Sequence, residues 1–450
     1  GGSGKIWLGK NGTYYNASGS ATGNPADGSN PIATLTSAEF KMTSTFYQQG
    51  AIMNFGQDST FAGNKTSGSE NAQDSNGIGD FYDTVPSGFL ALCSANLPEP
   101  TISPNADTQA DDHFNAILYE GNGSPAQHTI GFRPNMVWGK KRLVNAQNHW
   151  LINDVTDIDK FMSPDTEDAE STTAGTTFNA NGSFTTANND LYVNNGSNYV
   201  VWAWKGNGTG TATSNTSGSI NSTVSVNTDA GLSIVSYTGN GGGSAATVGH
   251  GLGVVPDMYI VKRRESGGTP NWAVYHKGVD DSVPQNYFMR LDTNVGRQAS
   301  STMWNNTAPT SSVFSIGTSN LSNNSQTFLA LCFAEVEGYS RFGKYIGNGA
   351  TSGTAGTFVY LGFRPKFVML KLLGTGHWWI LDSTRDPHNE ALRALEADTN
   401  VIETGYSGNF LDFYSNGFAP RTSGSQVNGS GSGYIYMAFA ENPFKYANAR

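Results

Sequence analysis

Tyr119-Glu120-Gly121-Asn122-Gly123 returns as Tyr237-Thr238-Gly239-Asn240-Gly241 and again as Tyr345-Ile346-Gly347-Asn348-Gly349. One Gly-Asn-Gly alone carries no weight. Here each copy is followed by a second block at a matching offset. Gly131-Phe132-Arg133-Pro134-Asn135-Met136-Val137-Trp138 matches Gly362-Phe363-Arg364-Pro365-Lys366-Phe367-Val368-Met369, and the middle copy reads Gly253-Val254-Val255-Pro256-Asp257-Met258-Tyr259. A tryptophan block comes third, as His149-Trp150-Leu151-Ile152, Asn271-Trp272-Ala273-Val274 and His377-Trp378-Trp379-Ile380-Leu381. Each copy closes on an apolar run: Val200-Val201-Trp202-Ala203-Trp204, Leu329-Ala330-Leu331-Cys332-Phe333 and Tyr436-Met437-Ala438-Phe439-Ala440. Coincident blocks of this kind are the signature of an internal repeat.

Short apolar bursts every ten or so residues predict an all-β fold of tandem sandwich or jelly-roll-like modules. Pro134, Pro256 and Pro365 fit strand starts, where a missing N–H costs no ladder bond. The continuously apolar closing runs fit strands covered on both faces. The segment Asn389 to Ala397 is helical by propensity, yet its copy Asn286-Tyr287-Phe288-Met289-Arg290-Leu291 is strand-like. The shared Asp-Thr-Asn at 292–294 and 398–400 anchors that alignment and predicts a strand. The modules expected are 1–104, 112–206, 217–338 and 339–445.

Composition agrees. The 450 residues hold 55 Gly and only 14% charged residues, with 37% hydrophobic and 12% aromatic. Gly and Asn supply the tight turns, and the apolar fraction is too high for disorder. Net charge is −10 with no basic stripe, which argues against nucleic acid as a partner. Lys140-Lys141-Arg142 and Lys262-Arg263-Arg264 are read as solvated strand ends. Cys93 and Cys332 sit in apolar runs of different modules, so two buried free thiols are expected, each in a closing strand. No apolar run is long enough to span a membrane. Residues 99–113 read as a polar linker, and Gly206 to Gly218 as a flexible hinge or exposed loop. The chain opens as though cut within a domain, so targeting information is expected upstream.

Chemistry was sought motif by motif. No nucleophile elbow, phosphate-binding loop, HExxH or CxxC occurs. The seven His are scattered, and His149 and His377 fall at one repeat position that Asn271 fills in the middle copy. A structural role follows for them. The Asp154, Asp157, Asp159 and Asp107, Asp111, Asp112 groups match no calcium-loop spacing and read as solvated loops. Trp150, Trp272 and Trp378 are expected in the core; Trp304 and Trp379 break the repeat and are the candidates for surface stacking on sugars. No catalytic, cofactor-binding or metal-binding residue is assigned.

Lys5-Ile6-Trp7-Leu8-Gly9-Lys10-Asn11-Gly12-Thr13, Gly23-Asn24-Pro25-Ala26 and Asn54-Phe55-Gly56-Gln57 resemble the later half of a SPRY domain of the kind found in phage proteins. That resemblance implies a concanavalin-like sandwich that binds partners through its loops, closing on Ser87 to Pro98. Val248 to Gly253, Trp304 to Phe314, Cys332 to Ser340 and the tail Phe439 to Lys445 resemble the repeat regions of tailed-phage virion proteins, especially marine ones. The resemblance implies a virion component, a tail fibre or other surface fibre for host attachment, located on the particle surface and not an enzyme. Its implied partners are other virion proteins, copies of itself and a host glycan or receptor. Alternatives are a fibre-borne polysaccharide depolymerase, a capsid decoration protein and a bacterial surface adhesin.

Overall fold

A computed structural model of the chain describes residues 4–10, 13–35, 55–65, 72–96, 101–102, 107–265, 270–350, 356–405 and 410–441. Asn11, Gly12, Asn54, Leu97, Pro98 and the tail from Asn442 lie outside them. The fold is all-β, with antiparallel sheets throughout. It divides into a unit at 1–99 and a unit at 100–450.

In the larger unit each repeat builds one large sheet by the same rule. An opening strand (Phe114–Glu120, Leu232–Thr238, Ser340–Ile346) pairs with the closing strand (Asn198–Trp204, Thr327–Phe333, Gly433–Ala440). The closing strand also pairs with the strand after the proline (Met136–Lys141, Met258–Arg263, Pro365–Leu372). The tryptophan-block strand follows (Trp150–Asn153, Ala273–His276, Trp378–Asp382). Closing strands therefore lie mid-sheet, which explains their unbroken apolar sequence. A smaller sheet of two or three strands covers one face of each large sheet. Arg393–Glu396 is a strand, as the repeat predicts and helix propensity does not.

The Tyr-x-Gly-Asn-Gly blocks end the opening strands. Tyr119, Tyr237 and Tyr345 stack on Tyr199, Phe328 and Tyr434, their cross-strand partners. Their hydroxyls donate to Tyr192 O, Ser322 O and Val427 O. The first glycine has a loop carbonyl against it: a Cβ would lie 2.3, 2.1 and 2.4 Å from one at Gly121, Gly239 and Gly347. The second has positive φ in every copy (80°, 97° and 66°).

The repeats form a closed ring. Phe439 of the third packs on Phe114 and Trp204 of the first and on Phe333 of the second. One continuous cluster of buried residues draws on all three copies.

Four expectations fail in this frame. Lys140, Lys141, Arg142, Lys262 and Arg263 are buried, because the strand ends that carry them run into the preceding repeat of the ring. Of the two readings of Gly206 to Gly218 the free hinge fails, since Asn135 Oδ1 accepts from the N–H groups of Gly206 and Gly208 and Thr213–Asn215 is a strand, while the exposed loop holds in part: Thr209, Thr211, Ser214, Thr216 and Ser217 are exposed. Phe89 to Cys93 forms no strand. Its amides are used in turns and by the Asp74 carboxylate, and Leu92 is exposed. Both thiols are free and Cys332 is buried in a closing strand, but Cys93 is only half-buried. The described residues of the smaller unit pair as Gly4–Ile6 with Ala33–Leu35 and Leu8–Lys10 with Thr13–Tyr15.

Candidate functional site

Trp304 and Trp379 cannot stack on a ligand, since both are buried. Trp304 packs edge-on to Tyr259 and donates to Tyr287 O, and Trp379 packs on Phe410. Trp150, Trp272 and Trp378 are in the core as expected, but not at one position. Gly139, Val261 and Leu370 hold one place in their strands; they face Trp150, Ala273 and Trp379. The residue equivalent to Trp272 and Trp378 is therefore His149. A one-residue slip turns side chains to the opposite face, and Trp150 packs inside its own sandwich against Tyr192. Gly139 is glycine because the Trp150 ring lies on it.

This register exposes a site that recurs at each junction between repeats. An aspartate accepts from the backbone N–H of His149, Trp272 and Trp378: half-buried Asp165 at 3.0 Å, and buried Asp292 at 3.2 Å and Asp398 at 2.9 Å. The side chains then reach the preceding repeat in the ring. Trp272 Nε1 donates to Ser163 O, Trp378 Nε1 to Arg290 O, and His149 Nε2 to Glu396 O. Because His149 Nδ1 accepts from Trp138 Nε1, the ring is neutral, and burial holds its pKa well below the usual range.

Beside each aspartate lies a fully buried lysine, six residues past the proline. Lys140 Nζ donates to Gln147 O and Asn400 O, Lys262 Nζ to Pro270 O, and Lys371 Nζ to Leu372 O and Gly374 O. Burial brings each lysine down to about 8, against the pull of Asp165, Asp292 and Asp398. The same burial raises Asp165 to about 7 and Asp292 to about 6. The three lysines are closed off from solvent. Asp165-Thr166 is the first copy of the Asp-Thr pair, and that dipeptide was the signal available in the sequence.

The acidic groups are spent locally. Asp154 pairs with Arg133 at 2.7 Å, Asp157 and Asp159 accept loop amides, and Asp112 accepts from Gln109 N. Among the described residues no group of three or more His, Cys, Asp or Glu is placed to hold a metal ion. His377 is half-exposed and its Nδ1 lies 2.8 Å from Asp398.

The smaller unit holds an open cleft of about 530 Å³. Aromatic rings line it, among them Trp7, Tyr14, Phe55, Phe81, Tyr82 and Phe89, with Lys5 and Asp83 as its charged groups. Trp7 Nε1 donates to Ser29 O and its ring meets Phe89 edge-on, which fixes the indole. Burial, then the Asp83 charge, raises the Tyr14 phenol. Asp74 supports the rear wall. Burial works against its charge, yet Ala91 N, Ile78 N, Asn96 and Asn76 N all donate to it and hold the carboxyl at about 2. The sequence hid this cleft because its rings come from scattered, unrepeated positions.

No curated protein and no solved structure matches the chain. One family model does, over residues 109–443, so its span covers the three-repeat ring and leaves the aromatic cleft outside. The chain belongs to the family described as Domain of unknown function (DUF7483).

Proposed function

We propose that this chain is a structural component of a tailed-phage virion, a tail fibre or related surface fibre, that attaches the particle to its host without catalysis. The observation that carries this reading is the division of labour between the units. The ring buries all its tryptophans, with Lys140, Lys262 and Lys371, in its cores and junctions, as a scaffold does. The smaller unit gathers exposed Phe55, Phe89, Leu90 and Leu92 around an aromatic cleft. Rings stack on the C–H faces of sugars while a carboxylate and an ammonium bind hydroxyls, so a surface glycan suits Trp7, Phe89, Asp83 and Lys5. Several copies on one particle would multiply a weak affinity.

The test is binding of the labelled full chain to host cells and to their purified surface polysaccharide, with Trp7→Ala/Phe89→Ala beside it. Expected is a loss of at least roughly tenfold in affinity, as for removal of well-packed anchors, with unchanged circular dichroism. Unchanged binding by the variant sinks the assignment to the cleft. Antibody labelling that finds the chain in no part of purified particles sinks the virion reading.

A further inference from the structure

The ring poses a problem of partner choice. All three repeats present the same two surfaces: a hairpin tip between the proline and tryptophan strands, and the segment after the Asp-Thr pair. Each tip joins the segment of a neighbouring repeat through one equivalent backbone bond: Glu170 N to Arg264 O, Arg297 N to Leu373 O, and Glu403 N to Arg142 O. A tip could in principle meet the wrong segment, in its own chain or in a second copy. Something must reserve the second repeat's segment for the third repeat's tip.

The side chains at that crossing differ. At the closing junction Arg142 and Glu403 form a bidentate pair, at 2.7 and 3.0 Å, with both residues buried. Arg385 and Asp382, also buried, join them. Between the first and second repeats Arg264 and Glu170 pair in the same way at 2.8 and 3.3 Å. Between the second and third, Leu373 stands across from Arg297, which turns to Val279 O and Asp280. Wrong pairings are penalised. Arg142 or Arg264 on the second repeat's segment would face Arg297. Leu373 on either of the other segments would take the bidentate arginine from buried Glu403, leaving it Arg385, or from half-buried Glu170, leaving it Lys160. The segment bearing Arg297 accepts only the tip bearing Leu373.

We propose that the Leu373/Arg297 crossing is a specificity determinant: Arg297 rejects the two tips that bear Arg142 and Arg264, whether of this chain or of a second copy, and so reserves the second repeat's segment for the third repeat's tip. Like-charge juxtaposition is a common means of rejecting wrong partners. The inference does not rest on the virion reading.

A double-mutant cycle on the full chain tests it. Leu373→Arg sets two arginines together and is expected to lower the folding constant by at least roughly tenfold. Arg297→Glu alone loses its bonds to Val279 and Asp280. Combined, they recreate an Arg–Glu crossing, and a favourable coupling of roughly tenfold is expected. Light scattering should show concentration-dependent dimers for Leu373→Arg and monomer for the double variant. If Leu373→Arg does not fold, Arg264→Glu and Arg264→Glu/Glu170→Arg give the same comparison at another junction. Additive effects in the measurable cycle, or an unchanged mass for every single variant, would overturn the proposal.

Discussion

Three lysines buried at equivalent positions are the ring's most costly residues. Each ammonium is removed from water and bonded only to carbonyl oxygens, and burial outweighs the nearby aspartates. The pKa in the fold is about 8, while a free lysine lies near 10.4. The folded state therefore binds the proton less well than the unfolded chain. The penalty is fully present below about 8 and is relieved as pH rises toward the free value. Its ceiling is ~3 kcal/mol per lysine. The buried Cys332 thiol, raised by burial, works in the opposite sense over the same range. The melting temperature is expected to climb between about pH 8 and pH 9.5. In Lys140→Met/Lys262→Met/Lys371→Met the climb should shrink or reverse, because the thiol remains and the lysines do not. An equal climb in both proteins would show that the lysines are not the titrating groups.

At the level of strands, a glycine of the repeated block and one two residues beyond it make opposite forecasts. A Cβ on Gly239 would stand 2.1 Å from Asn324 O, while one on Gly243 would meet nothing within 4 Å. Gly239→Ala is expected to cost at least ~2 kcal/mol, and Gly243→Ala to stay within ~0.5 kcal/mol of wild type, both read from denaturant midpoints. The same strands show what could be read in advance. Opening, proline and closing strands were legible because sheet geometry demands the same residue types in every copy. The tryptophan alignment was not. Pro134 to Trp150 and Pro256 to Trp272 are equally spaced, yet the loops between them absorb a one-residue slip. Only the ladder, with Gly139 facing Trp150 and Val261 facing Ala273, reveals that His149 holds the tryptophan's place. The basic clusters misled for a related reason. Strand ends are usually wet, and nothing local in Lys140-Lys141-Arg142 announces that a repeat more than two hundred residues away will cover it.

Across the whole molecule, the question is whether the repeats are beads or one body. Tandem modules with separate cores lose stability one at a time, and damage stays where it is made. Beside the sandwich cores of the first and second repeats, this ring has one core that all three share. Phe439 belongs to the third repeat but packs against Phe114, Trp204, Phe333, Phe342 and Phe367, so residues of all three depend on it. Truncating such a ring to Ala costs ~3–5 kcal/mol through lost burial and the cavity left behind. Native-state hydrogen exchange on Phe439→Ala reads where that cost falls. Amides of all three closing strands, Asn198–Trp204, Thr327–Phe333 and Gly433–Ala440, are expected to exchange faster by similar factors, on the order of 10²–10³. Acceleration confined to Gly433–Ala440 would mean that the repeats open independently, and the shared aromatic centre would then be contact without cooperativity.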